Sequence, residues 1–293
     1  MKRFLASGII FLACAANADQ ACDDALARFD YSAATDIANE LLKKSANDPA
    51  AWICLARARY ERGDFRTALE ALNEAAKQPI SGPLAVKLDN WFGVTLRRLG
   101  RNDEAWRYQQ AALSLAKQIN DQGGLATALH NTAGMLYERG DVHGALRDYQ
   151  ASIPINPDLS ERSASYNNVG LIHQWRGDMV QARQALEAAI ALNRAGNHFH
   201  HLGKHLMNLG NLERQLGRYD EARRLLDEGK VWVEKAGDVF WLGIAAHYQA
   251  WLARDLRQHD VARRYFEEAK RYYDQAGAAD DLKRLEREMP RFK

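Results

Sequence analysis

A glycine followed five residues later by an alanine recurs along this chain, at Gly63/Ala68, Gly100/Ala105, Gly140/Ala145, Gly177/Ala182 and Gly217/Ala222. Arg257/Ala262 keeps the alanine without the glycine, and Phe29/Ala34 opens the series, so the Ala-to-Ala steps are 34, 37, 40, 37, 40 and 40 residues. A period in this range means an array of small stacked units, none of which can bury its apolar face alone. The anchor residues have a physical reason. A helix that stops and reverses within a few residues needs positive φ, which glycine adopts without the cost of about 1–2 kcal/mol that a Cβ incurs. Five residues later the second helix must lie against the first, where a side chain larger than methyl would overpack the contact by roughly 1–3 kcal/mol. Arg257 in the glycine slot therefore predicts a looser or differently shaped last turn.

Between anchors the periodicity is helical. Trp52, Leu55, Ala56 and Tyr60 form one apolar stripe, and Ala68, Leu69, Leu72, Ala75 and Ala76 form the next. Breakers separate the units: Asn47-Asp48-Pro49, Gln78-Pro79 with Ser81-Gly82-Pro83, Asn156-Pro157-Asp158, Ala195-Gly196 and Ala236-Gly237. Each unit reads as helix, tight turn and second helix, with no strand pattern.

Trp52, Leu55, Ala56, Tyr60, Gly63, Ala68, Leu72 and Ala75 make one copy of a pattern that resembles the tetratricopeptide repeat family. Tyr166, Val169, Gly170, Gly177, Ala182, Leu186 and Ala189 give a second, and Leu206, Leu209, Gly210, Gly217, Ala222 and Leu226 a third. The resemblance covers about residues 22–276, although Asp89 stands where an aromatic is usual. It implies an all-α, right-handed superhelical solenoid of antiparallel helix pairs. The 40-residue units, with Asn120-Asp121 and Gly237-Asp238 ahead of first helices, are similar to the long repeats of kinesin light chain-type proteins. The expected organisation is a signal peptide over 1–18, a solenoid over 19–276 with a partial first unit and about six repeats, and a capping helix over 277–293.

The N-terminal stretch reads as a secretory signal: Lys2 and Arg3, an apolar run of 13 residues from Phe4 to Ala16, and Ala16-Asn17-Ala18 as a cleavage site. That predicts a periplasmic or secreted protein. An alternative reading takes Leu12-Ala13-Cys14 as a lipoprotein signal that anchors the chain through Cys14. No segment is long and apolar enough to predict a transmembrane helix. Without residues 1–18 the 40 basic and 38 acidic side chains become 38 and 38, a balance that offers no basic face for nucleic acid. Cys22 and Cys54 survive cleavage in a compartment where disulfides persist, and either a bridge or two separate buried thiols fits the sequence.

In a solenoid of this kind the first helices of successive units line an inner wall. Positions 13, 10, 9, 6, 3 and 2 before each glycine share that face. Nine before the glycine stand Asn131, Asn168 and Asn208, a slot in which the resembled peptide-binding proteins use asparagine to contact the ligand backbone. Three amide bonds at roughly 0.5–1.5 kcal/mol each do not reach the ~8 kcal/mol of a micromolar complex, so stronger anchors are needed. Arg57 and Tyr60, Arg97 and Arg98, Tyr137, Gln174 and Trp175 lie on the same face. So do Arg214, His247, Trp251 and Arg254. The arginines predict an extended, mildly acidic segment as the partner. His201 and His205, one turn apart beside His198 and His200, are the weak metal candidates; a polar junction is the plainer reading. No nucleophile elbow, phosphate loop or His-Glu-x-x-His motif is present, so neither an enzyme nor a cofactor is expected. The expected role is a protein-interaction scaffold that binds a protein or peptide in its groove. An envelope assembly factor or chaperone, and a metal or small-ligand binder, are the alternatives.

Overall fold

The computed structural model describes residues 20–26, 28 and 30–288, so both readings of the N-terminal signal lie outside the described residues. Among these residues the regular structure is helical, with no strand. The described residues fall into two compact units that divide between Asp148 and Tyr149.

The first unit begins with a helical segment over 20–26 (α1), followed by α2 (Tyr31–Lys44), α3 (Pro49–Glu61) and α4 (Phe65–Ala76). Next come α5 (Gly82–Arg98), α6 (Asn102–Ile119) and α7 (Gln122–Glu138). Helix α8 (Val142–Ser152) and a 3-10 turn (Ile153–Ile155) carry the chain into the second unit. That unit contains the pairs α9 (Leu159–Arg176) with α10 (Met179–Ala195), α11 (Phe199–Gln215) with α12 (Tyr219–Ala236), and α13 (Val239–Asp255) with α14 (His259–Gln275). It ends in α15 (Ala279–Glu288), which packs on α14.

The recurrent alanines sit where the sequence puts them. Ala34, Ala68, Ala105, Ala145, Ala182, Ala222 and Ala262 are all fully buried. At two units the partner helix supplies a glycine as well: a Cβ on Gly170 would meet Leu186 at 2.8 Å and the Ala182 carbonyl oxygen at 3.1 Å, and one on Gly210 would meet Leu226 at 2.9 Å. Four of the first helices, α3, α7, α9 and α13, start on an aspartate that caps free amides. Asp48 accepts from Ala50 and Ala51, Asp121 from Gly124, Asp158 from Ser160 and Glu161, and Asp238 from Trp241. In α11 the cap position is His198, which makes no such bond.

Cys22 and Cys54 are joined in a disulfide, with Cα atoms 6.1 Å apart, that ties α1 to α3 inside the core formed with Ile53, Leu72 and Phe92. Asp23 beside it is ion-paired to Arg57 and lies 3.5 Å from Lys87. With the cysteines 32 positions apart in sequence, loop closure predicts a contribution of roughly 3–4 kcal/mol to the first hairpin.

The last turn corrects one expectation. Arg257 adopts φ +59 and makes the same pair of reversals as the glycine turns: Arg257 N to Arg254 O at 2.8 Å and Gln258 N to Ala253 O at 2.8 Å, against 3.0 and 2.9 Å at Gly217. The turn is not looser. It keeps its shape because α13 packs on α14, and the exposed Arg257 takes the backbone cost of a positive φ.

Arg257→Gly should therefore raise unfolding free energy by about 1 kcal/mol, read as a higher denaturant midpoint with an unchanged slope. Replacing both Cys22 and Cys54 with serine should increase amide exchange selectively over residues 20–44, with protection in the second unit unchanged.

Candidate interaction face

In the second unit the first helices α9, α11 and α13 lie side by side, and polar side chains bridge them at a fixed offset. Ser160 Oγ meets His201 Nδ1 at 2.8 Å, Asn208 Nδ2 donates to Asn167 Oδ1 at 2.9 Å, and Gln174 Nε2 donates to Gln215 Oε1 at 3.0 Å, each pair 41 residues apart. The rungs recur every seven residues along α9, two helical turns, so all three fall on one edge. The same offset joins Arg214 on α11 to Asp255 on α13, and His247 on α13 to Glu288 on α15. In the first unit it joins Arg97 on α5 to Glu138 on α7 at 3.8 Å.

These rungs change the status of several expected ligand-binding side chains. Asn208 is 5% exposed and its Nδ2 donates to Asn167 Oδ1, so the structure turns it toward α9 and leaves little of it open to a ligand. Arg214, with a side chain 10% exposed, is held by Asp255 and Asn211 and lies over the Trp251 ring. Arg254 is paired with Asp255 at 3.2 Å. His247 is buried between Tyr273 Oη at 3.2 Å and Glu288 Oε2 at 3.1 Å; burial pushes its pKa down while Glu288 works in the opposite direction. Trp251 Nε1 donates to the same Glu288 oxygen at 2.7 Å. The C-terminal helix thus occupies the face of α13 that sequence reasoning had assigned to a ligand. Its own Leu285 is fully buried there.

What remains open lies on α9. Trp175 is 69% exposed and Leu171 36% exposed, and Asn168 is half-buried, with only Asn167 Nδ2 near its oxygen at 3.5 Å. Spaced i, i+3 and i+7, the three form a stripe one step around the helix from the rungs. Asn131 is half-buried and Tyr137 exposed on α7 of the first unit, where Arg97 is engaged with Glu138. Sequence reasoning identified the slot that Leu171 fills but passed over the residue. The rung offset was legible too, as the position three before the glycine in one unit meeting the position two before it in the next.

The histidines of α11 form a junction. His200 Nε2 meets Asp238 Oδ2 at 2.8 Å, His201 meets Ser160, and His205 Nδ1 meets Asn193 Nδ2 at 2.7 Å. Three rings thus face three different elements, and no three metal-ligating side chains converge among the described residues. Burial would raise the Asp238 carboxyl, but His200 and Lys204 hold it well below the usual carboxylate range. No helix among the described residues is long and apolar enough to cross a membrane.

The tetratricopeptide repeat family matches residues 84–158, 161–229 and 201–275. The chain is 31% identical over 132 residues to tetratricopeptide repeat protein 36 of Mus musculus, covering 45% of this chain and 63% of that protein. It is 28% identical over 193 residues to protein FlbA of Caulobacter vibrioides, covering 55% of this chain and 31% of that one. The match thus spans less than two thirds of either relative's length. A chain in the crystal structure of the APC/C hetero-tetramer Cut9–Hcn1 superposes with a TM-score of 0.70 at 15% identity, over 90% of this chain and 48% of that one, a likeness of fold.

The rungs set a measurable energy. Asp255→Ala leaves a largely buried guanidinium without its carboxylate and should destabilise the second unit by roughly 2–4 kcal/mol in denaturant unfolding, whereas Glu70→Ala on the exposed side of α4 should change stability by less than about 0.5 kcal/mol.

Proposed function

This chain belongs to the tetratricopeptide repeat family, and from that premise we propose that it is an interaction module whose second unit takes an extended segment of a partner protein on the α9 stripe Asn168, Leu171 and Trp175. Proteins of this family generally mediate protein–protein contacts, and the fold is typically a non-enzymatic scaffold. The observation that carries the reading is Trp175, left 69% exposed beside a row of first-helix side chains otherwise engaged with one another.

Trp is the residue type most enriched where binding energy concentrates, and such a ring is worth about 2 kcal/mol or more at an interface. Leu171 extends the apolar contact, and the Asn168 amide supplies a donor and an acceptor for the partner's main chain. The recognition is therefore apolar plus amide. A partner carboxylate would have to displace Asp255 from Arg214 and Arg254, so the acidic preference plays no part in this reading.

We place the protein outside the cytoplasm, periplasmic or secreted. Two features support this: the basic and apolar N-terminal run, and a disulfide that reducing compartments would not maintain. Mass spectrometry of the mature N-terminus separates cleavage after Ala18 from lipid attachment at Cys14.

The binding test uses a photo-crosslinking residue at position 175 in cells that export the chain, with position 184 on the exposed side of α10 as control. One discrete adduct is expected from 175 and none from 184. With that partner purified, Trp175→Ala should weaken binding about thirtyfold and Asn168→Ala several-fold, by calorimetric titration. Equal adducts at both positions, or unchanged affinity in both variants, would end the proposal.

A further inference from the structure

We infer that the imidazoles at the start of α11 form an acid-sensitive latch that holds α11 against α9 and α10 and so regulates the α9 face; its regulatory meaning rests on the binding role proposed for that face. The latch itself is geometric. His201 bonds Ser160 at the start of α9, and His205 bonds Asn193 near the end of α10, whose Oδ1 is itself bonded to Ser163 of α9 at 2.8 Å. Asn193 and Ser163 are fully buried and His205 is nearly so, so water cannot take over these contacts while the junction is closed.

The charges around the two rings decide what a proton does there. The groups facing His205 are His201 and Lys204, with no carboxylate, and burial pushes its pKa down to about 3. His201 faces Lys204, His200 and His198 on its own helix, with Asp158 at the start of α9 as the opposing charge, and burial pushes it down to about 4. A depressed imidazole makes its stabilising contribution in full above its free value of about 6.5, and that contribution is lost as pH falls toward the folded value. His200 is placed differently: its Nε2 meets the Asp238 carboxylate at the start of α13, which Lys204 also holds at 3.0 Å. Acid therefore weakens the hold of α11 on α9 and α10 and spares its hold on α13.

The rung through His201 is the first of the three that align α9 with α11, and the next, Asn167 with Asn208, sits beside Asn168. Releasing the first rung leaves two of the three to hold the α9 edge beside Asn168 and Trp175.

The test is hydrogen exchange of the full chain at about pH 7.5 and about pH 5, corrected for intrinsic rates, on the wild type and on His201→Asn/His205→Asn. Asparagine places an amide oxygen near the position of Nδ1 and does not titrate. At the lower pH, protection over α9 and the last turns of α10 should fall about tenfold or more in the wild type, stay within about twofold in the variant, and hold over α13 in both. Equal loss in both proteins, loss extending equally over α13, or no loss at all would overturn the latch. If the variant does not fold, NMR titration of the wild-type imidazoles decides: His205 titrating near its free value in the folded chain refutes the inference, and titration only below about pH 4.5 supports it. None of these readouts involves a partner, so the latch and the binding face can fail separately.

Discussion

Every helix pair in this chain has an apolar side too wide to cover by itself, and the structure depends on covering it with the next pair. Close approach makes that possible. The buried alanines after each turn, and glycines such as Gly170 and Gly210 across from them, let backbones meet where Leu186 and Leu226 fill the gap. Because each pair touches only its neighbours, the ends need their own solutions. In the first unit a disulfide and the Asp23–Arg57 ion pair fasten α1 to α3. In the second unit α15 supplies Leu285 to the core and Glu288 to His247 and Trp251.

Stacking also determines how the polar groups are used. When first helices lie side by side, their edge positions are drawn into partial burial, and a polar side chain there must find a partner. The 41-residue offset gives each one a partner in the next helix: amide with amide, arginine with aspartate, histidine with glutamate. These bonds fix the register between helices and leave fewer side chains for a ligand. A face rich in Asn, Arg and aromatic residues in the sequence is thus largely self-satisfied in space, and the exposed Trp175 and Leu171 stand out for that reason.

The repeat, the helix pairs and the buried alanines were legible in the sequence because each is a local rule repeated several times. Arg257 was misjudged because a propensity argument weighed the residue alone, whereas the packing of α13 on α14 forces its backbone into the glycine conformation. The candidate face was only half legible. Counting back from the glycine picks out positions that share one side of each helix, but which side chains stay open depends on the next helix over. For that reason Asn168 and Asn208, identical by position, differ in availability: Asn208 bonds back to Asn167, while Asn168 lies one residue past that rung.

The histidines of α11 follow from the same logic applied to a helix start. Where α3, α7, α9 and α13 begin on a capping aspartate, α11 begins on His198, and the next turn carries His200, His201 and Lys204. A carboxylate among these groups would have kept the imidazoles charged and the junction indifferent to pH. Of the two acids at this junction, Asp238 belongs to the following unit and is committed to His200 and Lys204, and Asp158 caps the start of α9. The neutral rings on the other side are thereby left to hold α9 and α10 by hydrogen bonding and burial alone, interactions whose strength depends on their staying uncharged.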